Sequence, residues 1–167
     1  METMKNKVRR KDRQLADETE MFRILDSAEF GILSLVDDDG TPYGIPINFA
    51  RQDDRLVFHC APEGRKFQCI RFQPKVSFCV IGRTNLLPGQ FSTEYESVII
   101  EGMAEIVDDE PRRIDDLLIL CRKLSPEHMD AAEQYIRKSL HRTAVFEIRI
   151  ETMTGKAKRK KPVEKTS

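Results

Sequence analysis

The sequence predicts a mainly β protein with flanking helices, an antiparallel barrel of six strands with the helices packed outside it. Three observations lead there. Apolar residues alternate with period two in about six stretches, while only three or four stretches carry helical spacing. Tight-turn residues, Asp39-Gly40 foremost, join neighbouring stretches directly. No regular strand–helix–strand alternation runs along the chain, and no G-x-G-x-x-G follows the first strand, so a Rossmann nucleotide site has no support.

Taken in order, residues 1–16 are polar and basic and read as a surface arm. Asp17 is placed to cap a helix running to Ser27, with Met21, Phe22 and Leu25 on one face. From Phe30 the period becomes two: Ile32, Ser34 and Val36 alternate with Leu33 and Leu35. The next strand, Tyr43 to Ala50, contains Pro46, which cannot donate to a ladder and so marks an edge or a bulge. Asp53-Asp54 is a second turn, and Arg55 to Cys60 completes a three-stranded meander. Arg65 opens a short helix that Gln73-Pro74 ends. Lys75 to Ile81 and Tyr95 to Val107 read as strands, the second with a bulge at Gly102. Between them, residues 82–94 have no period and read as a loop. Asp108 and Asp109 cap a helix with Pro111 in its first turn. Ser125-Pro126-Glu127 starts another, and Thr143 to Glu151 is the last strand. Residues 17–155 form one domain, and 156–167 a basic tail, solvated on its charge run.

Composition excludes several classes. Lys plus Arg is 28 and Asp plus Glu is 28, so the formal net charge is zero and no global field draws nucleic acid or an anionic membrane. No apolar run approaches a membrane span, so no spanning helix is expected, and the N-terminal residues lack the apolar stretch of a signal peptide. Cys60, Cys69, Cys79 and Cys121 lack metal-knuckle spacing and read as free thiols in a reducing cytoplasm, with Cys79 a small core residue and Cys69 and Cys121 core residues on helices.

The chemistry concentrates at residues 57–67. A strand stops at Ala61-Pro62, Gly64 frees a tight backbone, and Arg65-Lys66 begins a helix whose start carries unpaired N–H groups. That is a seat for a phosphate, or else a solvated helix face. The proline-interrupted edge before it offers backbone groups to a planar ligand, or else only protects the edge. His128 and His141 fall on helix surface or helix ends and read as solvated.

An ordered set of short motifs carries a family resemblance. It runs Val8-Arg9-Arg10-Lys11-Asp12-Arg13, Asp38-Asp39-Gly40-Thr41-Pro42-Tyr43, Ile45-Pro46-Ile47-Asn48-Phe49, Phe58-His59-Cys60-Ala61 and Gly64-Arg65-Lys66. It continues through Pro74-Lys75-Val76, Glu94-Tyr95-Glu96-Ser97-Val98 and Thr154-Gly155-Lys156-Ala157. In this order the chain resembles the FMN-binding split-barrel proteins related to pyridoxamine 5′-phosphate oxidase, and within them the nitroimidazole-resistance (nitroimidazole reductase) branch. The resemblance implies a homodimer with FMN at the subunit interface and a small-molecule substrate. Pro46, Ile47 and Asn48 would face the flavin ring, His59 and Cys60 would lie beside it, Arg65 and Lys66 would hold the phosphate, and Ser97 would approach from a neighbouring strand or the partner. The implied chemistry is reduction of a nitro group, with NAD(P)H or another donor reducing the flavin. His59 is then the candidate proton donor, or else a packing residue at the strand end. Cys60 reads as a small contact residue or as a thiol activated by the helix start. Two other classes stay open: a flavin-binding or sensing module without turnover, and a split barrel holding haem or a deazaflavin.

Overall fold

Phe49 decides how the sheet closes. The computed structural model describes residues 8–159. Strands β2 (Phe30–Val36) and β3 (Pro42–Asn48) form one hairpin, and β4 (Ala50–Gln52) and β5 (Arg55–Cys60) another. The sheet order is β3-β2-β6-β7-β8-β5-β4, so β3 and β4 are its two opposite edges. Yet Phe49 alone separates them in the chain. Two Cα steps span at most roughly 7 Å. The sheet must therefore roll until its edges meet at Phe49, and the edges meet without sharing a ladder. This is a split barrel. The expected three-stranded meander is corrected accordingly: β5 pairs with β8 rather than β3.

The described residues form eight strands, not six. One extra strand is the short β4. The other is β1 (Gln14–Leu15), which pairs with Lys156 and Gly155. Residues 8–15, expected as a surface arm, are thus drawn onto the barrel, and Val8 and Leu15 are buried. The last strand, β8 (Ala144–Lys158), overruns the expected start of the basic tail at residue 156. The rest of the expected arm, 1–7, and of the tail, 160–167, lies outside the described residues.

The central strands β6 (Lys75–Leu87) and β7 (Ser92–Ile106) are longer than their periodic stretches. Residues 82–94, expected as a loop, are a two-stranded ribbon closed by a tight turn at Pro88–Gln90. The ribbon projects past the barrel and buries neither face, so no alternation marks it; Phe91 at its tip is 99% exposed. The bulge at Gly102 is present, with the extra residue, Glu151, on the β8 side. A Cβ at Gly102 would sit 2.0 Å from the Arg149 carbonyl oxygen, so this approach requires glycine.

Four helices pack on the sheet. Asp17 accepts from the Thr19 N–H at 2.8 Å to cap α1 (Glu18–Ser27), which plugs the barrel with Ile24 and Leu25. The short α2 (Arg65–Phe72) ends at Gln73-Pro74 as expected. Asp109 caps α3 (Glu110–Leu124) through the Arg112 N–H at 3.0 Å, and α4 (Met129–Ser139) follows a single tight turn at Pro126–His128. The barrel interior is filled by Leu33, Phe49, Leu56, Phe58, Phe78, Ile100, Phe146 and Ile148. Phe58 stacks on Phe146 at 5.1 Å and Phe49 meets Phe78 edge-on at 4.9 Å. A second core lies outside the barrel, where Ala50, Val57, Val107 and Val145 meet Ile114, Leu117, Leu120 and Ile136 of α3 and α4. Cys69 is buried as expected, while Cys79 is only half-buried on the outer face, not in the core, and Cys121 is half-buried on α3. No helix among the described residues is long and apolar enough to cross a membrane.

Candidate functional site

The sequence places a strand end, a glycine and two cations in one short run, and rolling the sheet lays that run against the β3 edge. At Gly64 φ is 98°, a value that strains any residue with a side chain, and glycine in this cap position leaves the first N–H groups of α2 without a side-chain partner. Arg65 reaches back to the β2–β3 turn. Its Nε donates to Asp37 Oδ2 at 2.8 Å, and its guanidinium lies 4.4 Å from the centre of the Tyr43 ring. Hydrogen bonding to Asp37 raises the Arg65 pKa further above its ordinary value. Lys66 makes no ion pair among the described residues. It lies close enough to His59 and Cys60 to act on the titration of both.

His59 sits on the outer face of β5, in register with Val145. Desolvation by its surroundings, and secondly the Lys66 charge, hold its pKa below the usual histidine value. Cys60 points the other way, half-buried against the barrel core, and its thiol donates to the Ala61 carbonyl at 3.1 Å. Burial pushes the Cys60 pKa up, and Lys66 only partly opposes it. Burial thus outweighs the cations of the helix start at this thiol.

On β3, Pro46 is exposed and opposite Ile32. A proline fits an edge when its nitrogen faces away from the ladder, and the backbone groups of Gly44 and Asn48, two residues either way, then face the same open side. Ile47 is buried in the barrel core, so only its backbone is near the edge. The Asn48 amide donates to the Glu29 carbonyl at 2.9 Å, which fixes the link between α1 and β2. Within one chain, then, the β3 edge that carries Pro46, Ile47 and Asn48 meets β5, which carries His59 and Cys60, and Arg65, next to Lys66, touches Tyr43 on that edge; these contacts outline a notch. Ser97 stands apart from it. It lies on the outer face of β7, three strands away from β3, between Ile81 and Lys156.

Two cavities flank the notch. One, of about 710 Å³, runs beside α2 along Asp37, Gly64, Phe67 and Arg71. The other, of about 400 Å³, lies between α3, α4 and the end of β5, with His59 in its wall beside Leu117, Leu120, Ile136 and Arg142. Sequence reasoning missed Asp37 and Tyr43 as partners of Arg65, and all of the α3 and α4 wall. The helical spacing of Leu117 and Ile136 marks them only as packing residues, and no local pattern shows which strand end they face.

None of the curated proteins matches the chain in sequence. Solved structures do match in fold. A Bacteroides thetaiotaomicron protein provisionally designated for 5-nitroimidazole antibiotic resistance shares 23% identity, with 86% of each chain covered and a TM-score of 0.74. The flavocytochrome Anf3 of Azotobacter vinelandii shares 22% identity over 98% of this chain and 78% of its own, with a TM-score of 0.77. The FAD and haem binding protein of Mycobacterium smegmatis shares 22% over 89% and 74%, with a TM-score of 0.73. The family model described as pyridoxamine 5′-phosphate oxidase matches residues 17–157, nearly the whole of the barrel built above, and the chain belongs to that family.

Proposed function

We propose that this chain binds FMN in the notch and works as an oxidoreductase on a small organic molecule, of the nitroimidazole-reductase kind, as a homodimer. One observation carries the reading: the cationic start of α2 lies against the unpaired β3 edge. An anionic phosphate suits the free N–H groups and Lys66, which has no carboxylate partner among the described residues. A flat ring with hydrogen-bonding edges suits the open backbone at Gly44, Pro46 and Asn48. The residues present therefore fit FMN. The names of neighbouring structures point the same way, toward nitroimidazole resistance and toward flavin.

When bound, the flavin supplies two-electron transfer from a donor such as NAD(P)H to the substrate. The chain supplies the rest. Lys66 and the start of α2 anchor the phosphate, while the Tyr43–Arg65–Asp37 contacts hold that helix start against β3. His59 is the proton donor nearest the notch. A phosphate that neutralises Lys66 removes one of the two causes that lower the His59 pKa, and so makes the imidazolium easier to populate.

The homodimer is supported by the outer face of β2, β6 and β7. Phe30, Ile32, Ile81 and Ile99 line it, and Ile81 is 59% exposed. A contiguous apolar patch on a sheet face marks an interaction surface. A partner seated there would also bring a second Ser97 toward the site.

The test is a titration of purified protein with FMN and the visible spectrum of the bound form. Lys66→Ala should weaken FMN binding roughly ten- to hundredfold, the worth of a charge-assisted contact of about 1.5–3 kcal/mol. Unchanged affinity in that variant removes the phosphate assignment. A colourless protein that takes up no FMN ends the flavin reading. A single intense Soret band would favour haem instead, with His59 as its ligand, a reading that the haem-binding neighbour keeps in view.

A further inference from the structure

We propose that the cavity between α3, α4 and the end of β5 is the substrate seat, and that it takes a small flat apolar ring bearing one carboxylate. The assignment rests on the flavin reading for its orientation, because His59 is the wall that the cavity shares with the notch. The binding claim stands on the cavity itself.

Its volume of about 400 Å³ lies at the low end of small-molecule sites. Leu117 and Leu120 of α3 and Ile136 of α4 make apolar walls. The Tyr135 ring stands at the mouth, 67% exposed, where it offers a face to another ring. No carboxylate lines the cavity, and Arg142 is its one permanently charged side chain. The hydroxyls on that side are already spent as donors: Ser139 donates to the Tyr135 carbonyl at 3.0 Å, and Thr143 to the Ser139 carbonyl at 2.9 Å. The guanidinium of Arg142 is thus the polar anchor, and its fork matches a carboxylate.

Arg142 is also held in place from behind. It sits on the tight turn Leu140–Arg142 that follows α4. The guanidinium of Arg113, on α3, donates to the carbonyls at both ends of that turn, to Leu140 at 2.7 Å and to Thr143. A staple of this kind fixes the backbone that carries the anchor before any ligand arrives. Arg142 itself makes no ion pair among the described residues, whereas one guanidinium nitrogen of Arg113 is taken up by those two carbonyls.

The chain has no tryptophan, so Tyr135→Trp places a single emitter at the mouth of the cavity. The probes are 4-nitrobenzoate and the uncharged 4-nitrobenzyl alcohol, titrated against that variant with and without FMN. Saturable quenching by 4-nitrobenzoate is expected, at least tenfold tighter than by the alcohol, and Arg142→Gln in the same background should erase the difference. Arg142→Lys, which keeps the charge but loses the fork, should fall between. Quenching that never saturates, equal affinity for both probes, or discrimination that survives Arg142→Gln would overturn the proposal. FMN titration of the same proteins reads the flavin site separately: bound FMN without saturable quenching sinks the substrate seat alone, and saturable quenching without FMN uptake sinks the flavin reading and the cavity's role as the seat of its substrate.

Discussion

The outer face of the sheet is one surface with two fates. Over β5 and the first half of β8 it is roofed by α3 and α4, and it carries Val57, Val145 and the buried charge Glu147, against which α3 sets the buried Asp116. Over β2, β6 and β7 it is bare, and it carries Phe30, Ile32, Ile81 and Ile99. The bulge of Glu151 opposite Gly102 separates the two. Before it, Val145, Glu147 and Arg149 face outward; after it, Thr152 and Thr154 do. One extra residue flips which side chains a strand presents, so the same β8 serves a helix-covered half and an open half. The helices can bury charge because they complete it. Arg55 donates to Asp116 at 2.7 Å and also to Glu147, and Arg112 adds a bond to Glu147 at 2.9 Å. The bare half holds apolar surface that nothing within the described chain covers.

Three variants probe this contrast. The largest effect is expected on the bare half. Ile81→Asp with Ile99→Asp should halve the mass seen in sedimentation, since two desolvated carboxylates would oppose the subunit contact, while the monomer keeps its fold. A wild-type protein that sediments as a monomer would break the comparison. On the roofed half, Glu147→Gln leaves Arg55 and Arg112 without their shared carboxylate. It should cost roughly 3 kcal/mol, the low end for a broken buried pair because both arginines keep some contact with water. Denaturant unfolding measures this, and no change in oligomeric state should accompany it.

The smallest effect concerns Asp116, which is fully buried, with its Oδ2 unpartnered. Burial first, and then hydrogen bonding to Glu147, pushes its pKa from 3.8 up to about 6, against the pull of Arg55. A raised carboxyl pKa means that the folded state holds the proton longer than the unfolded one. Its contribution to stability is then full below 3.8 and is lost as pH rises through about 6. Asp116→Asn, neutral at every pH, should flatten the melting temperature across that window. A slope as steep as wild type would show that the roofed half does not hold this proton.

Much of the barrel was legible because a buried strand face writes itself in period two, as in Ile32 to Val36 and Val76 to Val80. Where a strand buries no face, as in residues 82–94, nothing is written, and the ribbon reads as a loop. The Gly64-Arg65-Lys66 run was legible for a different reason: a strand end, a glycine and a helix start are local events. Its partners Asp37 and Tyr43 were not, because a contact across 28 residues leaves no trace in spacing.

By itself, the sequence determined the starts of most strands and helices, those of β1, β4 and β7 excepted, together with the edge at Pro46, the bulge at Gly102 and the cationic opening of α2. Each is a matter of backbone stereochemistry or of side chains a few residues apart. Only the tertiary structure decided that two edges meet at Phe49, that Ser97 lies apart from the notch in a single chain, and that α3 and α4 roof one half of a face and leave the other bare. Those facts depend on which strand lies beside which, and a rolled sheet sets that through contacts between residues far apart in the chain.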